Sequence, residues 1–310
     1  MTISRFLTLN TGFKIPTIGF GTYNLKKEAL KEALDYALFV GYRHIDTAVV
    51  YGNEEEIGQV IDDRQRAGKL NRKDLFITTK VPNTCMKSQA VLESTQHSLH
   101  NLRTNYVDLM LIHHPWACTK KEQGVVTFER VDLLETWNAL VALSKGGQAC
   151  SIGVSNFTIQ QLERIVSGSG VSPACVQLEC HAYLQQRRLK AYCDSKNIVV
   201  SAYAPLGSPN RPKHHVQSSE NLLNDPVIVE IAQRYRKTPA QILLNFLLRQ
   251  GFVVLPKSGN QARIKDNFAS SNFNITPQDF DEIVTLDRGL RFFRFLYMKG
   301  HPEYFEDEDF

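Results

Sequence analysis

Short apolar runs alternate with helix-patterned segments eight times along this chain of 310 residues, and that rhythm limits the folds open to it. The runs at 15–19, 42–47, 75–81, 107–113, 149–155, 174–179, 198–204 and 252–256 are rich in Val, Ile and Leu and lack strict alternation. Such runs suit strands buried on both faces, as in parallel sheets. Between them, 26–40, 54–67, 89–103, 131–145, 158–167 and 186–197 carry helix-like spacing, as do 226–236, 239–249, 261–270 and 277–286. In the first helix Leu30, Ala33, Leu34 and Ala37 share one face. Eight strand–helix units closing on themselves predict one α/β domain, a (β/α)8 (TIM) barrel with additional helices and a long C-terminal loop, spanning 1–310. An open doubly wound sheet would carry a glycine-rich fingerprint after its first strand, and Gly19-Phe20-Gly21-Thr22 lacks the third glycine.

Composition removes several function classes. The formal charge of +4 is too small to call for nucleic acid, although it would not repel an anionic ligand. No apolar stretch approaches the ~20 residues that span a bilayer, and the N-terminal residues show no signal-peptide pattern. The six cysteines (85, 118, 150, 175, 180 and 193) form no CxxC pair and read as reduced thiols of a cytoplasmic protein. The longest loops, 117–124 and 207–224, follow the fourth and seventh strands and are expected on the barrel face that carries chemistry. Within the second, Arg211, Lys213, His214 and His215 either grip phosphate or solvate the loop, and the acidic end 303–310 reads equally as a solvated tail.

Polar groups stop the strands. Asp46 lies in His44-Ile45-Asp46-Thr47-Ala48, Tyr51 follows five residues later, Lys80 ends Phe76-Ile77-Thr78-Thr79-Lys80, and His113 ends Leu109-Met110-Leu111-Ile112-His113. Singly, Asp46 and Lys80 read as an ion pair closing a barrel end, Tyr51 as a loop aromatic and His113 as a buried histidine. Together, at consecutive strand ends, they read as one site. A phenol with an ordinary pKa near ~10 is a reluctant acid at pH 7, and an adjacent ammonium is expected to favour its phenolate. An acid, a phenol, an amine and an imidazole so placed suit proton delivery to a carbonyl oxygen.

These motifs resemble those of the aldo-keto reductases. The likeness runs from about Gly12 to the tail. It is carried by Gly41-Tyr42-Arg43-His44-Ile45-Asp46-Thr47-Ala48 with Tyr51-Gly52-Asn53-Glu54, by Leu111-Ile112-His113 before Pro115, by Ser151-Ile152-Gly153-Val154-Ser155-Asn156-Phe157 and by Leu255-Pro256-Lys257-Ser258. The resemblance implies reduction of an aldehyde or ketone, with Tyr51 as proton donor, Lys80 and Asp46 tuning it, and His113 orienting the substrate. It also implies NADPH as the hydride source. Ser155, Asn156 and Gln177 then hold the nicotinamide amide, Tyr203 stacks on its ring, and Leu206 and Ser208 open the loop over the pyrophosphate. Lys257, Ser258 and Arg263 clamp the 2′-phosphate, and Asp266 and Asn267 contact adenine.

Tyr23, His114, Trp116 and Phe292 are the candidate substrate-pocket residues. Where relatives place bulky aromatics, this chain has Val81-Pro82 and His114. A more polar pocket is therefore expected, for a small sugar-derived or oxo-acid carbonyl, with Arg288, Arg291, Arg294, Lys299 and His301 of the tail available to a carboxylate. Two other classes compete: a non-catalytic NADPH-binding relative and a metal-dependent barrel hydrolase. Against the second, adjacent histidines such as His113-His114 are expected on opposite faces of a strand, and Lys80 beside Asp46 would compete with a cation. No metal is expected. The resemblance implies a monomer, and no helix shows an oversized apolar face to argue otherwise.

Overall fold

A computed structural model describes residues 3–120, 126–209, 211 and 220–305. Lys213, His214, His215 and the acidic residues 306–310 lie outside the described residues.

The chain opens with a hairpin, β1 (Phe6–Thr8) against β2 (Lys14–Pro16), and enters the barrel at β3 (Phe20–Gly21). The barrel continues through α1 (Lys27–Val40), β4 (His44–Asp46), α2 (Glu54–Arg66), β5 (Phe76–Val81), α3 (Ser88–Asn101) and β6 (Val107–Ile112). A second hairpin follows, β7 (Ala117–Lys120) with β8 (Val126–Glu129). Then come α4 (Leu133–Lys145), β9 (Ala149–Ser155), α5 (Ile159–Ser169), β10 (Cys175–Glu179), α6 (Arg187–Ser195) and β11 (Val199–Tyr203). Last are α7 (Pro226–Tyr235), α8 (Pro239–Arg249), β12 (Val253–Val254), α9 (Gln261–Phe268), α10 (Pro277–Val284) and an irregular tail.

Strands β3, β4, β5, β6, β9, β10, β11 and β12 pair in parallel in that order, and a parallel bridge from Ile18 to Val254 closes the ring. This is the (β/α)8 architecture the alternation predicts. Helix starts agree with the local chemistry. Thr158 and Thr238 each form a capping box with the Gln three residues on, and Asp225 and Thr276 cap helices that begin with proline.

Two expectations shift. The predicted first strand at 15–19 is divided: Ile15 belongs to the floor hairpin, and the barrel strand begins at Phe20. Ile15 and Leu9 pack with Phe76, Leu109, Leu111, Cys175, Val253 and Leu255 inside the barrel, so the floor plug carries the apolar signal of a barrel strand. The loop expected at 117–124 begins instead as the β7 arm of a hairpin, whose strands of four residues flank a polar stretch. Outside the ring, a larger core joins the helices to the outward faces of the strands.

Candidate active site

The C-terminal strand ends converge as the sequence requires. Asp46 closes β4, and Tyr51 lies on a short 3-10 turn (Val49–Tyr51). Lys80 is the penultimate residue of β5, and His113 follows β6. Asn53 fixes the turn that carries Tyr51. Its amide donates to the carbonyls of Thr22 and Leu25 at 3.0 Å, and its oxygen accepts from the Thr47 hydroxyl at 2.8 Å. Gly52 closes the turn with φ 59°, a left-handed geometry that glycine adopts without a Cβ penalty.

Lys80 is fully buried and ion-paired. Its ammonium donates to Asp46 Oδ1 at 2.7 Å and to the Thr47 carbonyl at 2.8 Å, and reaches the Tyr51 hydroxyl at 3.5 Å. The second Asp46 oxygen accepts from Gln177 Nε2 at 2.8 Å. The Tyr51 ring stands edge-on to His113, with centroids 5.7 Å apart, and tilted against Tyr23 at 5.1 Å. Burial pushes the Tyr51 phenol well above its ordinary pKa, and the charges of Asp46, Tyr203 and Tyr23 add to the rise. The resting group is the neutral phenol. Burial outweighs the expected tilt toward phenolate: the ammonium is held by Asp46 and Thr47 and meets the phenol at 3.5 Å. Burial likewise lowers Lys80, against the pull of Asp46. Burial, the adjacent His114 and Lys80 hold His113 well below the usual imidazole value, so it is neutral at pH 7. Its Nδ1 is buried and has no partner among the described residues.

His113 and His114 do not point to opposite faces. β6 ends at Ile112, and beyond it the two rings stack in parallel at 4.7 Å, both lining the same cavity. Strand alternation does not extend past the last strand residue. His114 continues the stack onto Trp116 at 4.6 Å, and its Nδ1 lies 3.1 Å from the Asn156 amide.

That cavity, of about 1090 Å³, runs from Asp46, Tyr51 and His113 past Ser155, Asn156, Gln177 and Tyr203. It continues along Leu206 and Ser208 to Lys257, Ser258, Arg263, Asp266 and Asn267. All fifteen residues read from the sequence as catalytic or cofactor-binding therefore meet at this end of the barrel, fourteen on the cavity wall and Lys80 directly behind Asp46 and Tyr51. Asn156, at φ 62°, donates to the His113 carbonyl at 3.0 Å and accepts from the Tyr203 hydroxyl at 2.9 Å. Gln177 differs from its expected role in one respect: its amide nitrogen is engaged by Asp46. At the far end, Lys257 and Arg263 have no acidic partner among the described residues, and α9 starts beside them, capped by Asn260. Two uncompensated cations beside a helix start and a long groove fit a phosphorylated dinucleotide. Asn260 was not singled out by the sequence reading; its signal was an Asn directly before a helical pattern.

The substrate half corrects the pocket reading. Trp116 and Phe292 are buried behind the wall, while Tyr23 and His114 do line it. Phe293, Phe295 and Tyr297 of the tail, with Val50, Val126 and Asn83, complete it. The wall is mainly aromatic, so the predicted polar pocket is not what forms. The tail bases are also engaged: Arg288 pairs with Glu220 at 3.0 Å, Arg291 lies over the Phe305 ring, and His301 bonds the Glu129 carbonyl at 3.0 Å. Among the described residues, no three His, Cys, Asp or Glu side chains cluster as metal ligands, and no helix is long and apolar enough to cross a membrane.

A closed parallel barrel with this tetrad at its mouth defines an oxidoreductase-type site, and comparison with known proteins places it. A sequence model of the Aldo/keto reductase family matches residues 17–288, and the chain belongs to that family. It is 41% identical to aldo-keto reductase family 1 member C15 of Rattus norvegicus, over 97% of both chains. It is 40% identical to prostaglandin F synthase 1 of Bos taurus, over 99% of both. The solved aldose reductase of Schistosoma japonicum superposes with a TM-score of 0.91 at 36% identity, covering 99% of this chain and all of that one. Members of the family are oxidoreductases that act on small-molecule carbonyl and alcohol groups and use nicotinamide cofactors.

Proposed function

We propose that this protein reduces an aldehyde or ketone to the alcohol with NADPH. The observation that carries the reading is one cavity joining a neutral, buried phenol to two cations that have no acidic partner among the described residues. NADPH, when bound, supplies a hydride to the carbonyl carbon. Tyr51 donates its hydroxyl proton to the carbonyl oxygen, so C=O becomes CH–OH and the phenol becomes phenolate. Lys80, held by Asp46, lies 3.5 Å away to stabilise that charge. Neutral His113 offers an N–H to orient the carbonyl oxygen. Tyr203 provides a flat face for the nicotinamide, with Ser155, Asn156 and Gln177 around its amide. Leu206 and Ser208 line the pyrophosphate, Asp266 and Asn267 the adenine, and Lys257, Ser258 and Arg263 the 2′-phosphate.

The substrate is an aldehyde or ketone with an apolar or aromatic body, because Tyr23, Phe293, Phe295 and Tyr297 surround the reacting end. The prostaglandin-synthase relative fits such a body better than it fits a sugar acid. Aldo-keto reductases are typically monomeric and generally cytosolic, and a cytosolic monomer is the form proposed here.

Tyr51→Phe tests the reading. NADPH binding, followed by fluorescence, should persist, while oxidation of NADPH by an aromatic aldehyde falls about 10²–10⁴-fold. Undiminished turnover removes Tyr51 as the acid. Tight NADPH binding by the unaltered protein, with no turnover of any carbonyl, would instead favour a non-catalytic relative.

A further inference from the structure

The buried carboxylate of Glu179 takes no part in the chemistry above, yet it organises the substrate wall. It ends β10, is fully buried, and is met by its near neighbour His181 and by two donors from the distant tail. Its Oε1 accepts from the Phe292 backbone N–H at 2.7 Å and lies 3.0 Å from His181 Nε2. Its Oε2 accepts from the Phe293 N–H at 3.0 Å. One side chain thus holds two consecutive amides of an irregular tail that has no ladder of its own.

What these amides position is the pocket. Phe292 turns inward and is gripped between the His181 ring, 4.9 Å away, and the Arg211 guanidinium, 4.0 Å from the ring centre. Phe293 turns the other way, into the cavity, edge-on to Tyr203 at 5.7 Å. Phe295 follows at φ 50°, a left-handed backbone unusual for a bulky residue, and packs on His114 at 4.6 Å. A backbone held in that region persists where its surroundings fix it on both sides. Here the far side is the His114–Trp116 stack and the near side is the pair of amides on Glu179.

We propose that Glu179 is a positioning residue that sets substrate specificity by latching the 292–295 tail, so that Phe293 and Phe295 form a fixed aromatic wall opposite Tyr23. This rests on the carbonyl-reductase reading and specifies how that site selects its substrate. Each carboxylate oxygen accepts from one of the two amides, so a Gln side chain keeps one of these bonds and sets its NH2 against the other N–H. The tail then loosens at one amide, and contact with a ring-bearing substrate weakens. A small aldehyde, which does not reach the wall, is affected far less.

The test is Glu179→Gln in the full chain, measured with NADPH against a naphthaldehyde and against propanal. We expect KM for the naphthaldehyde to rise about tenfold, equivalent to ~1.4 kcal/mol of lost contact, while kcat stays within about twofold. KM for propanal and the NADPH dissociation constant should each stay within about twofold of the unaltered protein. Phe293→Ala should produce the same split, and the double variant should be no worse than Phe293→Ala alone, because both changes act through one wall. A uniform fall with both aldehydes, or additive effects in the double variant, would overturn the latch. If Glu179→Gln does not fold, hydrogen exchange in the unaltered protein decides. The amides of Phe292 and Phe293 should exchange far more slowly than their coil neighbours, and equal rates would refute the proposal. Failure of the latch leaves Tyr51-dependent turnover intact, whereas failure of the reductase reading removes turnover of both aldehydes.

Discussion

Asp46→Asn isolates the electrostatic core of the site. Lys80 is completely buried, and its ammonium has three oxygen neighbours: Asp46 at 2.7 Å, the Thr47 carbonyl at 2.8 Å and the Tyr51 hydroxyl at 3.5 Å. Only Asp46 carries charge. Removing one partner of such a pair costs roughly 3–5 kcal/mol. An Asn cannot recover this by keeping the geometry. If its oxygen faces Lys80, its NH2 faces the Gln177 amide that now donates to Asp46 at 2.8 Å, and turning it over sets the NH2 against the ammonium. The loss is a large share of the ~5–15 kcal/mol that stabilises an ordinary domain. Urea unfolding at a series of pH values checks it. Folding already lowers Lys80 below 10.5 through burial, and Asp46 opposes that. Between the folded and unfolded values the unfolded chain binds more protons, so stability rises with pH in that window, which lies below 10.5. Without Asp46 the folded lysine releases its proton at lower pH, and the window opens earlier. The deficit of the variant should therefore be greatest near neutrality and shrink as pH climbs toward 10.5. Equal stability at pH 7, or a deficit that does not change with pH, would refute the reasoning.

Arg263→Ala should weaken NADPH binding by roughly 10- to 100-fold, as for loss of a charged hydrogen bond, and leave NADH almost unchanged. Fluorescence titration with both cofactors reads the difference directly. Gly58→Ala should destabilise the fold by about 2 kcal/mol or more, because a Cβ there would lie 2.1 Å from the Asn101 carbonyl oxygen, where α2 meets the end of α3. Thermal unfolding measures this, and catalytic constants at 20 °C should barely change.

Much of the fold and site is legible in the sequence, and what is not has physical causes. Asp46, Lys80 and His113 could be read because each ends an apolar run, and a strand end fixes where a side chain emerges. The floor hairpin misled because Ile15 is as buried as any barrel residue, and apolarity reports burial without saying which element provides it. His113 and His114 escape the alternation rule because they lie one and two residues past Ile112, the last residue of the strand. The tail has no period at all. Nothing in Phe292-Phe293-Arg294-Phe295 says which rings face inward, since the answer depends on Glu179, more than a hundred positions earlier. The polar-pocket expectation treated His114 as a polar wall. Its Nδ1 instead meets Asn156, and its ring serves as one layer of an aromatic stack.

On the proposed mechanism, the position of Lys80 accounts for a buried site that holds a proton tightly and still releases it. An ammonium bonded directly to the phenol would favour phenolate in the resting enzyme and leave no proton to donate. Here burial keeps Tyr51 protonated, and Asp46 and Thr47 hold the ammonium at the edge of contact. The charge that Lys80 can stabilise exists only after the proton has moved to the carbonyl oxygen. Its attraction is therefore greater in the transition state than in the ground state, which is the condition for an interaction to raise kcat. Asp46, itself held by Gln177, and the Thr47 carbonyl keep the ammonium in place, so little reorganisation is needed at the moment of transfer. The 3.5 Å separation suits the proposed role, in which Lys80 stabilises the phenolate once the proton has left.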